Sequence, residues 1–144
     1  MPDILHDFPI AARRPVVFAA VSTPAGLDEW WTRRSRGEPA PGADWEFFFG
    51  PAYDWRGRVT RFEADRAIAW ELTRADADWT STSVSIELSD RPDGLTWVRF
   101  CHAGWREAGE HYRVSTFCWA MYLRVMRRWL EQGERVDYDR RLEV

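Results

Sequence analysis

The stretch VSTFCWAMYLRVMRRWL, Val114–Leu130, decides the fold. Val114, Phe117, Cys118, Met121, Tyr122, Val125, Met126, Trp129 and Leu130 stand at offsets 0, 3, 4, 7, 8, 11, 12, 15 and 16. Residues so spaced are neighbours along one face of an α-helix. Arg124, Arg127, Arg128 and Glu131 fall outside this stripe. The pattern predicts one long amphipathic helix from about Gly109 to Gln132, stopped by Gly133, since glycine readily takes the left-handed cap. Trp119 lies one step off the stripe, beside Cys118 and flanking Tyr122.

Upstream of this helix the period changes from helical to alternating. LTWVRFCHAGW (Leu95–Trp105) reads as a strand, preceded by the turn DRPDG, whose Asp-Gly step is a strong hairpin signal. WTSTSVSIELS (Trp79–Ser89) reads as a long strand, with Thr80, Thr82, Val84, Ile86 and Leu88 on one face. AIAWELTR, YDWRGRVTRF and DWEFFFG supply three more, and RRSRGEPAPGA is a loop by its Gly and Pro content. Near the N-terminus, DILHDFPI alternates Ile4, His6, Phe8 and Ile10 as a strand. RRPVVFAAVS follows as a short helix with Pro15 in its first turn. TPAGLDEWWT reads as a second, with Thr23 as N-cap, Pro24 at the first position and Leu27, Trp30 and Trp31 displayed. The order is a strand, two short helices, a run of strands and one long helix, an α+β arrangement in a single domain spanning 1–144.

Composition narrows the function classes. The net charge is −3 with no basic face or tail, which disfavours nucleic acid as a partner. No apolar run approaches the roughly 20 residues of a membrane span. The acidic start MPDILHDFPI does not resemble a signal peptide, so a cytoplasmic location is expected. The chain has no Lys and no Asn, both encoded by A/T-rich codons, which points to a GC-rich bacterial genome. Two cysteines make neither a disulfide framework nor a zinc motif, and both are expected free. Tryptophan is the outlier, with 10 in 144 residues. The indoles serve either as core filler or as the walls of a pocket for an aromatic or apolar ligand.

Four segments in this order carry a resemblance: PVVFAAVSTPAGLDEWWT (15–32), WRGRVTRFEADRAIAWEL (55–72), LTWVRFCHAGW (95–105) and CWAMYLRVMRRWLEQG (118–133). The chain resembles the START-like (SRPBCC) superfamily and, within it, the heat-shock-protein-90 ATPase activator homologues. The resemblance implies a helix-grip fold, in which a curved antiparallel sheet wraps around the long C-terminal helix and leaves a cavity between them. It implies a fold and no single activity, because the superfamily hosts carriers, cyclases and hydroxylase domains. The separate N-terminal domain of the eukaryotic activators has no counterpart in these residues, so ligand binding is expected ahead of chaperone activation. Placed in this fold, the long helix is expected to meet the sheet through Phe117, Met121, Val125 and Trp129.

FCHAGWREAGEHY (Phe100–Tyr112) is the stretch that looks reactive. Strand parity separates its cysteine from its histidine. Thr96, Val98, Phe100 and His102 share the core face, and Trp97, Arg99 and Cys101 the other, so a Cys101–His102 nucleophile pair is not expected. His102 then points inward, as a core histidine held by a partner or as a polar handle on a ligand; His6 has inward parity as well. Glu46, Asp54, Glu71 and Glu87 read as surface charges, and no phosphate-binding, zinc-protease, nucleophile-elbow or dinucleotide motif occurs. The expected ligand site comprises His102, Trp79, Trp105, Trp119, Tyr122, Thr80, Thr82, Phe100, Trp30 and Trp31, with no cofactor and no metal. Its partner is a small hydrophobic or aromatic molecule, with a homodimer left open. An enzyme using His102 as base and a chaperone-associated interaction module stand as alternatives.

Overall fold

A computed structural model describes residues 1–143. Seven antiparallel strands form one sheet in the order β1-β7-β6-β5-β4-β3-β2. They are β1 (Ile4–Ile10), β2 (Arg34–Arg36), β3 (Asp44–Phe48), β4 (Asp54–Glu63), β5 (Ala67–Arg74), β6 (Ser83–Asp90) and β7 (Thr96–Ala103). From β2 to β7 the chain meanders, each strand pairing with the next. β1 instead pairs with β7, at the far edge. Two helices, α1 (Arg14–Ser22) and α2 (Pro24–Leu27), therefore carry the chain from one edge to the other. Register shifts between Arg56 and Gly57 and between Val59 and Arg61 bend β4. The long helix α3 (Glu110–Gln132) closes the layer, capped by Gly133 at φ 70° with its N–H on the Trp129 carbonyl.

Alternation places side chains as expected in the central strands. Val84, Ile86 and Leu88 of β6 and Val98, Phe100 and His102 of β7 are buried. Cys101 faces away, opposite Leu5 and Ser85 on the neighbouring strands. The outer face carries ion pairs, across strands between Arg56 and Glu46, Arg61 and Glu87, and Arg99 and Asp7, and within β4 between Arg56 and Asp54 and between Arg61 and Glu63. Glu46 and Asp54, which have no evident partner in the sequence, find theirs here. These pairs are solvent-exposed and each contributes little, about 0–1 kcal/mol.

The structure corrects four expectations. The second helix is a single turn. The Leu27 carbonyl accepts from the N–H groups of Trp30, Trp31 and Thr32, and the Asp28 carboxylate takes the Thr32 and Ser35 hydroxyls. These local bonds turn the chain, so Trp30 and Trp31 lie beyond the helix. The expected loop contains the short edge strand β2. β6 begins at Ser83 and not at Trp79. Trp79 and Thr80 both donate to the Asp76 carbonyl, Thr80 Oγ1 bonds Ala75, and Ser81 sits at φ 71°. Short hydroxyl side chains compete here with the strand ladder.

The fourth correction concerns α3. Its length and caps agree with the sequence, but it is rotated. Ser115, Trp119, Leu123, Val125 and Met126 are buried, whereas Val114 is 53% and Phe117 65% exposed. Met121 and Trp129 are half-buried. Of the four side chains expected against the sheet, only Val125 is fully buried, and Phe117 faces solvent. The apolar positions of α3 span more than one arc of its circumference, and Trp119, the largest side chain, sets which arc turns inward.

α1 and α2 touch through glycine. A Cβ on Gly26 would lie 2.5 Å from the Ala19 carbonyl oxygen and 2.6 Å from the Ala20 Cα, both backbone atoms that cannot swing aside. Gly26→Ala should therefore lower stability by roughly 1–3 kcal/mol. A chemical-denaturation midpoint equal to that of the wild type would disprove the close approach.

Candidate functional site

A cleft of about 210 Å³ lies at one end of the sheet, between the first half of α3, the β3–β4 hairpin and the turn before β6. Eight aromatic rings line it, from Trp31, Phe49, Tyr53, Trp55, Trp79, Trp119, Tyr122 and Tyr138. Asp76, His111, Val114, Ser115 and Cys118 complete the wall. Asp76 is the one carboxylate of the lining and no arginine joins it, although the chain carries 20.

The wall is assembled from five separate stretches of chain. Trp31 arrives from the turn after α2 and packs on Trp119 at 5.0 Å between ring centroids and on Phe49 at 5.4 Å. The β3–β4 hairpin brings Phe49, Tyr53 and Trp55, and Trp55 meets Trp79 at 4.8 Å. Trp79 comes from the turn before β6 and stacks near-parallel on Trp119 at 5.8 Å. The first half of α3 gives His111, Val114, Ser115, Cys118, Trp119 and Tyr122. Tyr138 is held by the C-terminal tail. There the buried Arg141 guanidinium donates to the carbonyls of Thr32, Asp28 and Val136, and the Tyr138 hydroxyl donates to the Phe49 carbonyl.

Four expected site residues, Trp31, Trp79, Trp119 and Tyr122, stand together on this wall. The others do not. His102 is fully buried, behind Trp79 and Trp119, with ring centroids 4.5 Å from Trp79 and 4.9 Å from Trp105. Phe100, Thr82 and Trp105 share this inner layer. Trp30 turns toward α1 and donates its indole N–H to the Ala20 carbonyl at 2.9 Å. Thr80 closes its own turn. The polar handle expected at His102 therefore does not reach the cleft. Its replacements are Asp76 and His111, and His111 Nδ1 lies 3.0 Å from Asp78 Oδ2. Phe49, Tyr53, Trp55, Asp76, His111 and Tyr138 were absent from the expected site. The Tyr53–Trp55 alternation was the one sequence signal for any of them.

His102 has a definite structural task. The Trp119 indole, which can only donate, gives its N–H to His102 Nδ1 at 3.1 Å. The ring proton must then sit on Nε2, 2.7 Å from Thr82 Oγ1, and the Thr82 hydroxyl donates in turn to the Trp79 carbonyl at 2.5 Å. This directed chain ties the Trp119 indole and the Trp79 backbone to β7 and to the residue that precedes β6. It also requires a neutral ring: burial, helped by nearby His111, pushes the His102 pKa down to about 3. Burial similarly raises the Tyr122 phenol to about 12 and raises the Cys118 and Cys101 thiols. Both cysteines are free and half-buried. Among the described residues no group of three or more His, Cys, Asp or Glu could hold a metal ion, and no helix is long and apolar enough to cross a membrane.

Residues 11–131 match the family described as Activator of Hsp90 ATPase homolog 1-like protein. The chain belongs to that family. Among solved structures, the Aha1 dimer of Colwellia psychrerythraea is 26% identical with a TM-score of 0.82, over 93% of this chain and 99% of that one. Protein SSP2350 of Staphylococcus saprophyticus is 18% identical (TM-score 0.78; 94% and 96% covered), and MLL2253 of Mesorhizobium loti 17% (0.79; 92% and 99%). The latter two share the helix-grip fold at identities that carry nothing further. No curated protein matches the chain.

Proposed function

We propose that this protein binds a small, largely apolar or aromatic molecule in the cleft beside the first half of α3. The observation that carries the reading is the lining: eight aromatic rings with one carboxylate and one histidine at the wall. Ligand sites combine apolar walls with a few polar groups in this way. The volume, about 210 Å³, lies below the roughly 300–1,000 Å³ of drug-sized sites. It favours a ligand of one or two rings. The enzymatic alternative built on His102 loses its basis, since that ring is sealed behind two indoles and both its nitrogens are engaged. The Colwellia relative is a dimer, and we infer a homodimer here too.

Two-ring aromatics such as 2-naphthol should quench the tryptophan fluorescence saturably, with a Kd of about 10–100 µM, roughly −7 to −5.5 kcal/mol. Ser115 is buried on the cleft wall, so Ser115→Phe should fill the space and abolish the saturable quenching while the circular dichroism is retained. Linear, non-saturating quenching, or equal binding by the folded S115F variant, would defeat the proposal.

A further inference from the structure

We propose that two copies of this chain pair through the outward faces of their α3 helices, antiparallel, about a two-fold axis at Phe117. The proposal rests on the homodimer reading above and adds its face and its register.

Phe117 precedes the buried Trp119 by two residues, which is roughly 200° around a helix. It therefore points directly away from the core and is 65% exposed. Val114, 53% exposed, and the half-buried Met121 flank it on one side. A monomer gains nothing by displaying Phe, Val and Met together on one helix face, and such patches mark contact surfaces.

The charges around Phe117 identify the occupant. Glu110 and Arg124 each lie seven residues from it in opposite directions, hence about 20° to either side of it and roughly 10 Å along the axis. Both are exposed, and neither makes an ion pair among the described residues. Of the other charges on α3, His111 is engaged with Asp78, Arg128 with Glu134 and Glu131 with the Ala11 N–H, while Arg113 and Arg127 make no ion pair among the described residues. Arg113, four residues before Phe117, faces an uncharged side chain of the second copy and not a like charge. Equal spacing with opposite sign makes the face complementary to itself. With Phe117 stacked on Phe117 of the second copy, each Glu110 meets the other copy's Arg124, and each Val114 meets the other Met121. A two-fold interface has this property, one patch serving both sides. A parallel pair would instead set Glu110 against Glu110.

The face also touches the cleft. Val114 and Cys118 belong to its wall, so the second copy's Met121 comes to rest beside the rim. One helix pair buries less than the roughly 1,200–2,000 Å² of a standard interface, so the dimer should be concentration-dependent.

Sedimentation equilibrium over about 10 µM to 1 mM would test this, a range suited to so small an interface. Wild type should pass from monomer to dimer, and Phe117→Asp, altering an exposed residue, should stay folded and monomeric. Glu110→Arg and Arg124→Glu should each weaken the dimer about tenfold or more by setting like charges face to face. The double variant E110R/R124E should return to within about threefold of wild type. Wild type monomeric throughout would overturn the homodimer reading itself. A dimer that persists in F117D would leave that reading standing and overturn this face. Single variants that weaken the dimer without rescue by the double would overturn the antiparallel register.

Discussion

Trp119→Ala should cost the protein about 3–5 kcal/mol, the range for truncating a large buried aromatic residue. Phe117→Ala, two positions away in the same helix, should stay within about 0.5 kcal/mol in the monomer. Trp119 is 1% exposed and packs against Phe100 at 4.5 Å and against Trp31 at 5.0 Å. Its loss also leaves His102 Nδ1 without a donor inside the core, and an unpaired buried acceptor adds its own penalty. In a domain of this size, with total stability of order 5–15 kcal/mol, the substitution removes a large share. Urea unfolding of the two variants at a protein concentration low enough to keep the chain monomeric would measure the contrast. Similar losses would mean that α3 does not turn Trp119 inward and Phe117 outward.

Acidification gives the second large effect. His102 titrates near 6.5 when unfolded and at about 3 when folded. The folded state therefore binds this proton less readily than the unfolded state does. The contribution of the neutral ring is fully present above pH 6.5 and is lost as the pH falls toward 3, by about 1.4 kcal/mol per unit. Between pH 7.5 and pH 5.0 the wild type should lose about 2 kcal/mol more than His102→Gln. Groups that do not interact with His102 are common to both proteins and cancel in that difference. Trp79, Thr82, Trp105 and Trp119 face the ring without charge, and His111 is the titratable group that acts on it, in the same direction as burial. Parallel stability curves for the two proteins would show that His102 is not held neutral. Because the same ring anchors Trp119 and, through Thr82, the Trp79 turn, acid should also loosen the cleft before the sheet unfolds.

What the sequence by itself determined is what depends on near neighbours. The period-two alternation of β7 put His102 inside and Cys101 outside, and the alternation of β6 turned Val84, Ile86 and Leu88 inward. A strand residue and its neighbour must point to opposite faces whatever lies beyond them. The length of α3, from Gly109 to Gly133, was equally readable, because caps and helical spacing act within a turn or two. The tertiary structure alone decided the rotation of α3. Val114, Phe117 and Met121 make as good an apolar stripe as Ser115, Trp119 and Met126, and only the ring-filled hollow of the sheet, with the His102 acceptor at its base, selects the second. The same holds for the cleft. Trp31, Phe49, Trp55, Trp79, Trp119 and Tyr138 come from five stretches of chain with no common period, and the side-chain bonds of Asp28, Thr80 and Arg141 that aim three of those stretches act through turns and tails. Which aromatic residues enclose a space and which merely fill the core is set by contacts between distant segments, and no local pattern encodes it.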